Sequence, residues 1–279
     1  MSVPVSDVSN RSFQRLAAAG WLEDAQLAGV VKFTPKFERV VSWLQSRLTH
    51  LSPNGPSGPF QYPPVIARVT IERAKYDAAF PHLLGMVQPH IGGSGESDAV
   101  LMPAVCYGVY QELADRAIDD ARQFDVSGWC YRHESTAELG RFRSFRMREF
   151  VIVSDDDTAQ RWRDDWVTRG RTFFAQLGLP VTVKPASDPF FGPGSHFMRS
   201  SQLEQSLKHE FVAHMSDDDP GTAIGSANSH KDHLGERFSI SYRDTGWAYS
   251  SCVAFGLDRI ALALIHQHGN DPAGWPEAL

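Results

Sequence analysis

Between Phe145 and Val153 the chain first alternates apolar and polar residues and then runs apolar through Phe150-Val151-Ile152-Val153, the texture of a strand entering a core. The next residues must turn the chain back over that strand. Ser154 followed by Asp155, Asp156 and Asp157 reads as a helix start, a hydroxyl cap with carboxylates near the positive end of the helix dipole. The helix is expected to run to about Gly178. Pro180 and the alternation in Val181-Thr182-Val183 then suggest another strand, and Leu207 to Met215 a further one. Gly256 to His266, rich in Ile, Ala and Leu, is expected as a final helix lying across a sheet. Together these elements predict an α+β domain with a mainly antiparallel sheet flanked by helices, whose strand order periodicity leaves open.

With 279 residues, 42% of them hydrophobic and 11% aromatic, the chain holds one large domain or two small ones. Near its start, Phe37, Val40, Val41, Leu44 and Leu48 recur at three- and four-residue spacing and form one apolar helix face. The Pro/Gly/Ser-rich stretch Ser52 to Pro64 reads as a linker, dividing an N-terminal helical extension, 1–55, from a main domain, 56–279. Gly92-Gly93-Ser94-Gly95 marks a turn before the apolar run Ala99 to Val105. A formal charge of -6 provides no general electrostatic footprint for nucleic acid. No apolar stretch follows a basic start in the first thirty residues, and Asp258 and Arg259 interrupt the apolar run near the C-terminus. A cytoplasmic chain, neither exported nor membrane-spanning, is therefore expected. Cys106, Cys130 and Cys252 are too few and too scattered for a disulfide framework, which suits a reducing compartment where thiols stay free, pack as small apolar groups or bind metal.

Two segments place arginines where a folded domain has no evident need of them: Cys130-Tyr131-Arg132-His133-Glu134, and Arg141-Phe142-Arg143-Ser144-Phe145-Arg146-Met147-Arg148-Glu149. A guanidinium clamps two phosphate oxygens at once and keeps its charge at any accessible pH, so the loop between them is a candidate anion site; a solvated basic hairpin is the blander alternative. A third segment, Ser250-Ser251-Cys252-Val253-Ala254-Phe255-Gly256-Leu257-Asp258-Arg259, joins strand texture to an arginine at the head of an apolar helix. Such an arginine either decorates a helix surface or points back over the sheet at a ligand. His230 and His233 would share a face if they lay on one helix. The arginines Arg161, Arg163, Arg169 and Arg171, interleaved with Asp164 and Asp165, form either an ordinary solvated helix face or a docking face for an acidic partner.

Taken in order and spacing, the three arginine-bearing segments resemble motifs 2 and 3 of class II aminoacyl-tRNA synthetases, most closely the seryl enzymes. Further stretches, Phe80-Pro81-His82-Leu83-Leu84-Gly85, Asp188-Pro189-Phe190-Phe191-Gly192, Ser201-Gln202 to Lys208-His209-Glu210 and Ser226-Ala227-Asn228-Ser229-His230-Lys231-Asp232-His233, extend the likeness over most of the chain. They resemble the amino acid:[carrier protein] ligases, truncated homologues of the zinc-dependent seryl-tRNA synthetases. The resemblance implies a class II synthetase-like catalytic domain that activates a small amino acid, glycine or alanine, with ATP and Mg2+. It also implies transfer of that amino acid to the phosphopantetheine thiol of a carrier protein, with no tRNA as partner.

By the same resemblance Arg132, Arg141 and Arg259 are catalytic and bind the nucleotide, Glu134 contacts adenine and Phe145 stacks on it. Glu149, Lys208, Glu210, Ser226, Asn228 and Ser251 would bind the amino acid, and Cys106, Glu149 and Cys252 would hold Zn2+ with a position left for the substrate's amine. From spacing alone that trio has none of the short Cys-x-x-Cys intervals of structural zinc sites. The region around Pro63 and Pro64 is the candidate motif 1, which the family makes a homodimer interface. Motif 3 departs from the common pattern, carrying Asp258 and Ala254 where many class II enzymes have Glu and Gly. Two alternatives stand beside this expectation: a compact seryl-tRNA synthetase-like enzyme acting on tRNA, and a catalytically silent paralogue with a regulatory role.

Overall fold

The computed structural model describes residues 11–52, 55–89, 95, 97–134, 138–193, 195–243 and 246–276. The chain opens with α1 (Arg11–Ala18), a short antiparallel hairpin of β1 (Leu22–Asp24) and β2 (Val31–Phe33), and α2 (Pro35–Thr49). Thr34 caps α2 by accepting from the Phe37 N–H, and Pro35 sits in the first turn, where its missing N–H costs nothing. The expected apolar face is the buried one: Phe37, Val40, Val41, Leu44 and Leu48. β3 (Phe60–Tyr62), β4 (Val65–Ala67), α3 (Arg68–Arg73) and α4 (Tyr76–Ala79) follow, the two helices separated by Lys75 at φ 58°. Of the glycine turn expected at 92–95, residues 92–94 lie outside the described residues.

β5 (Ala99–Leu101) pairs with β4, and α5 (Cys106–Leu113) and β6 (Ala117–Ile118) lead into the long hairpin of β7 (Arg122–Tyr131) and β8 (Ser144–Ser154). After β8 comes α6 (Asp156–Gln176). Its cap is Asp155, which accepts from the Thr158 N–H, rather than the expected Ser154, whose hydroxyl donates to the Asp155 carbonyl. A carboxylate at this position satisfies an orphan donor and meets the helix dipole with a full charge, so it displaces the hydroxyl. β9 (Thr182–Pro185), α7 (Ser195–Glu204), β10 (Lys208–Ala213), β11 (Thr222–Lys231), α8 (His233–Arg237), β12 (Ser241–Tyr242), β13 (Tyr249–Gly256) and α9 (Leu257–His268) complete the chain.

Among the described residues, seven strands form the central sheet in the order β3-β7-β8-β13-β11-β10-β9, antiparallel throughout except for the parallel pair β3–β7. One face is covered by α2, α6 and α9, whose Leu44, Trp166, Phe174 and Leu262 share a core with Phe150, Phe211 and Phe255 of the sheet. The stretch ahead of the Ser52 to Pro64 linker is thus packed into the same core as the last helix. The other face carries α5 and α8 over Val126, Val151, Val153 and Cys252. Because side chains alternate along a strand, each residue's face follows from its parity: Phe150, Val253 and Phe255 face α6 and α9, whereas Val151, Cys252 and Val153 face α5.

Candidate active site

The second sheet face, between α5 and the β7–β8 hairpin, collects the groups that carry chemistry. Cys106 opens α5 and Cys252 lies on β13; their thiols are in hydrogen-bonding contact, and the Glu149 carboxylate of β8 contacts Cys106. All three are buried. Glu149 Oε1 also accepts the Val105 N–H at 3.1 Å. Burial, and then the charge on Cys252, push the Glu149 carboxyl up to about 7. Contact with Cys252 and burial raise the Cys106 thiol, while contact with Cys106, which outweighs burial, together with His230 lowers that of Cys252. Among the described residues no group of three or more His, Cys, Asp or Glu side chains is placed so that it could hold a metal ion, so the arrangement does not support the Zn2+ expected at Cys106, Glu149 and Cys252. The donor set nevertheless has the chemistry of a zinc site: two thiols and a carboxylate, desolvated together, compete to hold protons that a divalent cation would displace.

His230 was not expected here as a neighbour of Cys252, yet its Nε2 lies 3.6 Å from the Cys252 sulfur, with Nδ1 2.9 Å from the Tyr110 hydroxyl and 3.3 Å from Ser250 Oγ. It cannot share a helix face with His233, because His230 lies on β11 and His233 begins α8. Burial would lower the His230 imidazole, but the neighbouring Cys252 thiolate and Glu149 outweigh it and the net direction is upward. Asn228 on the same strand face donates to Ser226 Oγ at 3.0 Å and to Cys252 Sγ at 3.5 Å. On β10, Lys208 Nζ binds Asp188 Oδ1 at 2.6 Å and Glu210 at 3.1 Å. Register explains the grouping: Lys208 and Glu210 pair with Asn228 and Ser226, and Asn228 pairs with Cys252.

Ser251 is not brought to this face. It pairs with Ser229 and Ile152 between Ser250 and Cys252, so its side chain turns toward the helical layer, fully buried and with no hydrogen-bond partner for Oγ among the described residues. Its neighbour Ser250 takes the site position, accepting from the Tyr110 hydroxyl at 3.1 Å. Counting by twos from Cys252 identifies Ser250 in the sequence itself.

The arginines separate by partner. Arg148 is fully buried and donates to both carboxylate oxygens of Asp125, at 2.9 and 2.6 Å, and to the Gln45 carbonyl of α2. Arg146 is held by Asp258 and Glu38 and lies over the rings of Phe33 and Trp129. The folded domain therefore does need these two arginines, contrary to the expectation for the segment; odd-even alternation on β8 puts them on the helical face, away from Phe145 and Glu149. Arg132 is different. Its Nε donates to the Pro103 carbonyl at 3.1 Å and its guanidinium lies over the Phe145 ring, and its terminal nitrogens have no acceptor among the described residues. Arg141 is engaged by Glu138 and, at 3.6 Å, by Glu134. Arg259, at the head of α9, donates to the Gly140 and Ala223 carbonyls, both at 2.8 Å. Burial, and after it the charges of Arg141 and Arg132, lower the Arg259 guanidinium to about 10. Three cations from two distant parts of the sequence, the β7–β8 hairpin and the head of α9, thus act on one another, with Glu134 and Glu138 ion-paired to Arg141, an arrangement that costs free energy unless an anion joins them.

The expected docking face on α6 is thinner than its sequence suggests. Arg163 is turned into the fold, donating to the Ser206 carbonyl at 2.6 Å and pairing with Asp164, and Arg169 stacks over Trp166. By contrast α7 buries none of its residues and exposes Phe197, Met198 and Leu203. Gln202 of α7 donates to Asp188 Oδ2 at 2.8 Å and accepts the Asp188 N–H at 2.7 Å, tying the helix to the carboxylate that holds Lys208. Among the described residues no helix is long and apolar enough to cross a membrane.

No family model matches the chain. The fold is that of seryl-tRNA synthetases: M. kandleri seryl-tRNA synthetase, in a crystal structure with A. aeolicus tRNASec, superposes with a TM-score of 0.77 at 20% identity over 96% of this chain and 59% of that one. The Pyrococcus horikoshii seryl-tRNA synthetase complexed with ATP gives 0.74 at 15% identity, over 92% and 58%. The chain thus spans about three-fifths of those synthetases. In sequence, the type-2 serine--tRNA ligase of Methanopyrus kandleri is 28% identical over 193 residues, 64% of this chain and 37% of that protein. Two proteins of Bradyrhizobium diazoefficiens are more similar: amino acid--[acyl-carrier-protein] ligase 1, 34% identical over 270 residues, and ligase 2, 36% identical over 274. These alignments take in 89% and 90% of this chain and 82% and 81% of the two ligases, and on that likeness the chain belongs to the amino acid--[acyl-carrier-protein] ligase family.

Proposed function

We propose that this protein activates a small amino acid, glycine or alanine, as its adenylate and passes it to the phosphopantetheine thiol of a carrier protein. The observation that carries this reading is the meeting of Arg132, Arg141 and Arg259 beside the Cys106–Glu149–Cys252 cluster. In the first step the amino-acid carboxylate attacks the α-phosphorus of ATP in line and pyrophosphate leaves. Negative charge grows on the equatorial oxygens, and Arg132, whose terminal nitrogens have no acceptor among the described residues, would receive it with Arg141, Arg259 and the Mg2+ that accompanies ATP. Phe145 supplies a face for adenine and Glu134 an acceptor for its amino group.

Cys106, Cys252 and Glu149 would hold Zn2+, which supplies an electrophilic position for the neutral amine of the substrate. Lys208, Glu210, Ser226 and Asn228 form the polar wall on which the rest of the amino acid is oriented. In the second step the carrier's thiol attacks the adenylate carbonyl, a thioester forms and AMP departs. The carrier docks on α7, whose exposed apolar side chains lie on the helix joined through Asp188 to Lys208. A homodimer is proposed through β3, β4 and the start of α3, supported by exposed Phe60, Val65 and Val69 there.

The test compares acceptors. With ATP and labelled glycine or alanine, label should become acid-precipitable and hydroxylamine-sensitive on a phosphopantetheine-bearing carrier, and not on the same carrier without the arm or on tRNA. Equal labelling of tRNA, or none of any acceptor, overturns the reading.

A further inference from the structure

Two buried hydroxyls lack a hydrogen-bond partner among the described residues, Ser251 Oγ and the Tyr76 phenol. An unpaired buried hydroxyl is expensive to keep, so each calls for an explanation. Ser251 has apolar surroundings, facing the helical layer that packs on Val253 and Phe255. Tyr76 does not. Its residue is only 6% exposed, and its ring is fixed between Phe80, at 4.9 Å, and Tyr107, at 5.7 Å and edge-on. Phe80 in turn stacks at 5.2 Å on Phe190 of the segment that begins with Asp188, and the Phe191 N–H donates to the Ala79 carbonyl. Tyr107 directly follows Cys106. The phenol is therefore clamped between the two walls of the site, one bearing Cys106 and the other Asp188.

Apart from buried Cys130, the charged groups that act on the Tyr76 oxygen are site residues. Burial raises the phenol to about 12, against an opposing pull from Arg132, and Cys130, Glu134 and Asp188 add to the rise. At any working pH the group thus remains a protonated donor that lacks an acceptor among the described residues, under the influence of an arginine whose terminal nitrogens also lack one there. Two unused donors within electrostatic reach of each other can be served by one anionic oxygen.

We propose that the Tyr76 hydroxyl is a further substrate-binding group, donating a hydrogen bond to an anionic oxygen that Arg132 also holds. The chemistry required is that of a phosphate or carboxylate oxygen, and the substrates offer two: the α-phosphate of ATP and the carboxylate of the amino acid. This rests on the adenylation reading above, which the wild-type protein tests separately.

The variant Tyr76→Phe removes the hydroxyl and keeps the ring between Phe80 and Tyr107. Amino-acid-dependent ATP–pyrophosphate exchange should fall on the order of 10–100-fold in kcat/KM, the effect of losing one hydrogen bond to a charged group. The melting temperature should hold or rise, because an unpaired buried hydroxyl has been taken away. A change centred on the KM for ATP assigns the oxygen to the phosphate; one centred on the KM for the amino acid assigns it to the carboxylate. Wild-type kinetics in Tyr76→Phe overturn the proposal and mean that water serves the phenol, and a clear drop in melting temperature overturns it in favour of a structural hydroxyl. If the wild-type protein itself shows no exchange, the adenylation reading fails, and this proposal with it.

Discussion

Whether an arginine binds ligand or holds the fold is decided here by what its guanidinium already touches. Arg148 has a complete set of partners in Asp125, Gln45 and Thr49, both members of the ion pair being fully buried. Removing one partner leaves an uncompensated buried charge, so Asp125→Ala should lower unfolding stability by about 3–5 kcal/mol in a denaturant titration. A change within the range of ordinary surface substitutions would show that the pair is not needed. Arg132, two residues beyond buried Cys130, keeps its terminal nitrogens uncommitted, which is the condition for binding an anion. The cysteines divide in the same way. Cys130 packs in the core, whereas Cys106 and Cys252 are in hydrogen-bonding contact. Cys252→Ser should reduce both the zinc content of the purified protein and its amino-acid activation; a metal-free preparation with full activity removes zinc from the account.

At the scale of elements, α7 stands apart, since a helix with no buried residue gains nothing from the core and is tethered here by Gln202. Phe197, 78% exposed, takes no part in the contacts that hold Arg132, Arg141 and Arg259, so Phe197→Ser should raise the KM for the carrier severalfold and leave pyrophosphate exchange unchanged. Equal slowing of both steps would place α7 in adenylation instead. Much of the element layout was legible beforehand: apolar spacing marked α2, alternation marked β8, and the apolar run marked α9. Less legible was which residue of a strand faces the ligand. Ser251 and Ser250 are identical in chemistry, and only parity counted from Cys252 separates them. The short elements between Pro63 and Leu101 carry too few residues for a period to emerge, and that is where Tyr76 lies. Its role shows only in the missing partner of a buried hydroxyl, a property of packing rather than of pattern.

For the molecule as a whole, the mainly antiparallel central sheet separates two tasks. Its helical face holds the large apolar core and the structural ion pairs, with α2 latched to β8 through Glu38, Gln45 and Thr49. The opposite face gathers groups distant along the chain, from Cys106 to Arg259, and tolerates their unfavourable proximity because the rigid sheet fixes them from behind. That convergence of cations and thiols is the claim on which the functional account depends. Amino-acid-dependent ATP–pyrophosphate exchange, screened across the standard amino acids for the wild-type protein and for Arg132→Ala, addresses it most directly. Exchange with glycine or alanine, lost in an Arg132→Ala protein that still melts cooperatively, is the expected result. Exchange with no amino acid, or a folded Arg132→Ala variant as active as the wild type, would contradict it.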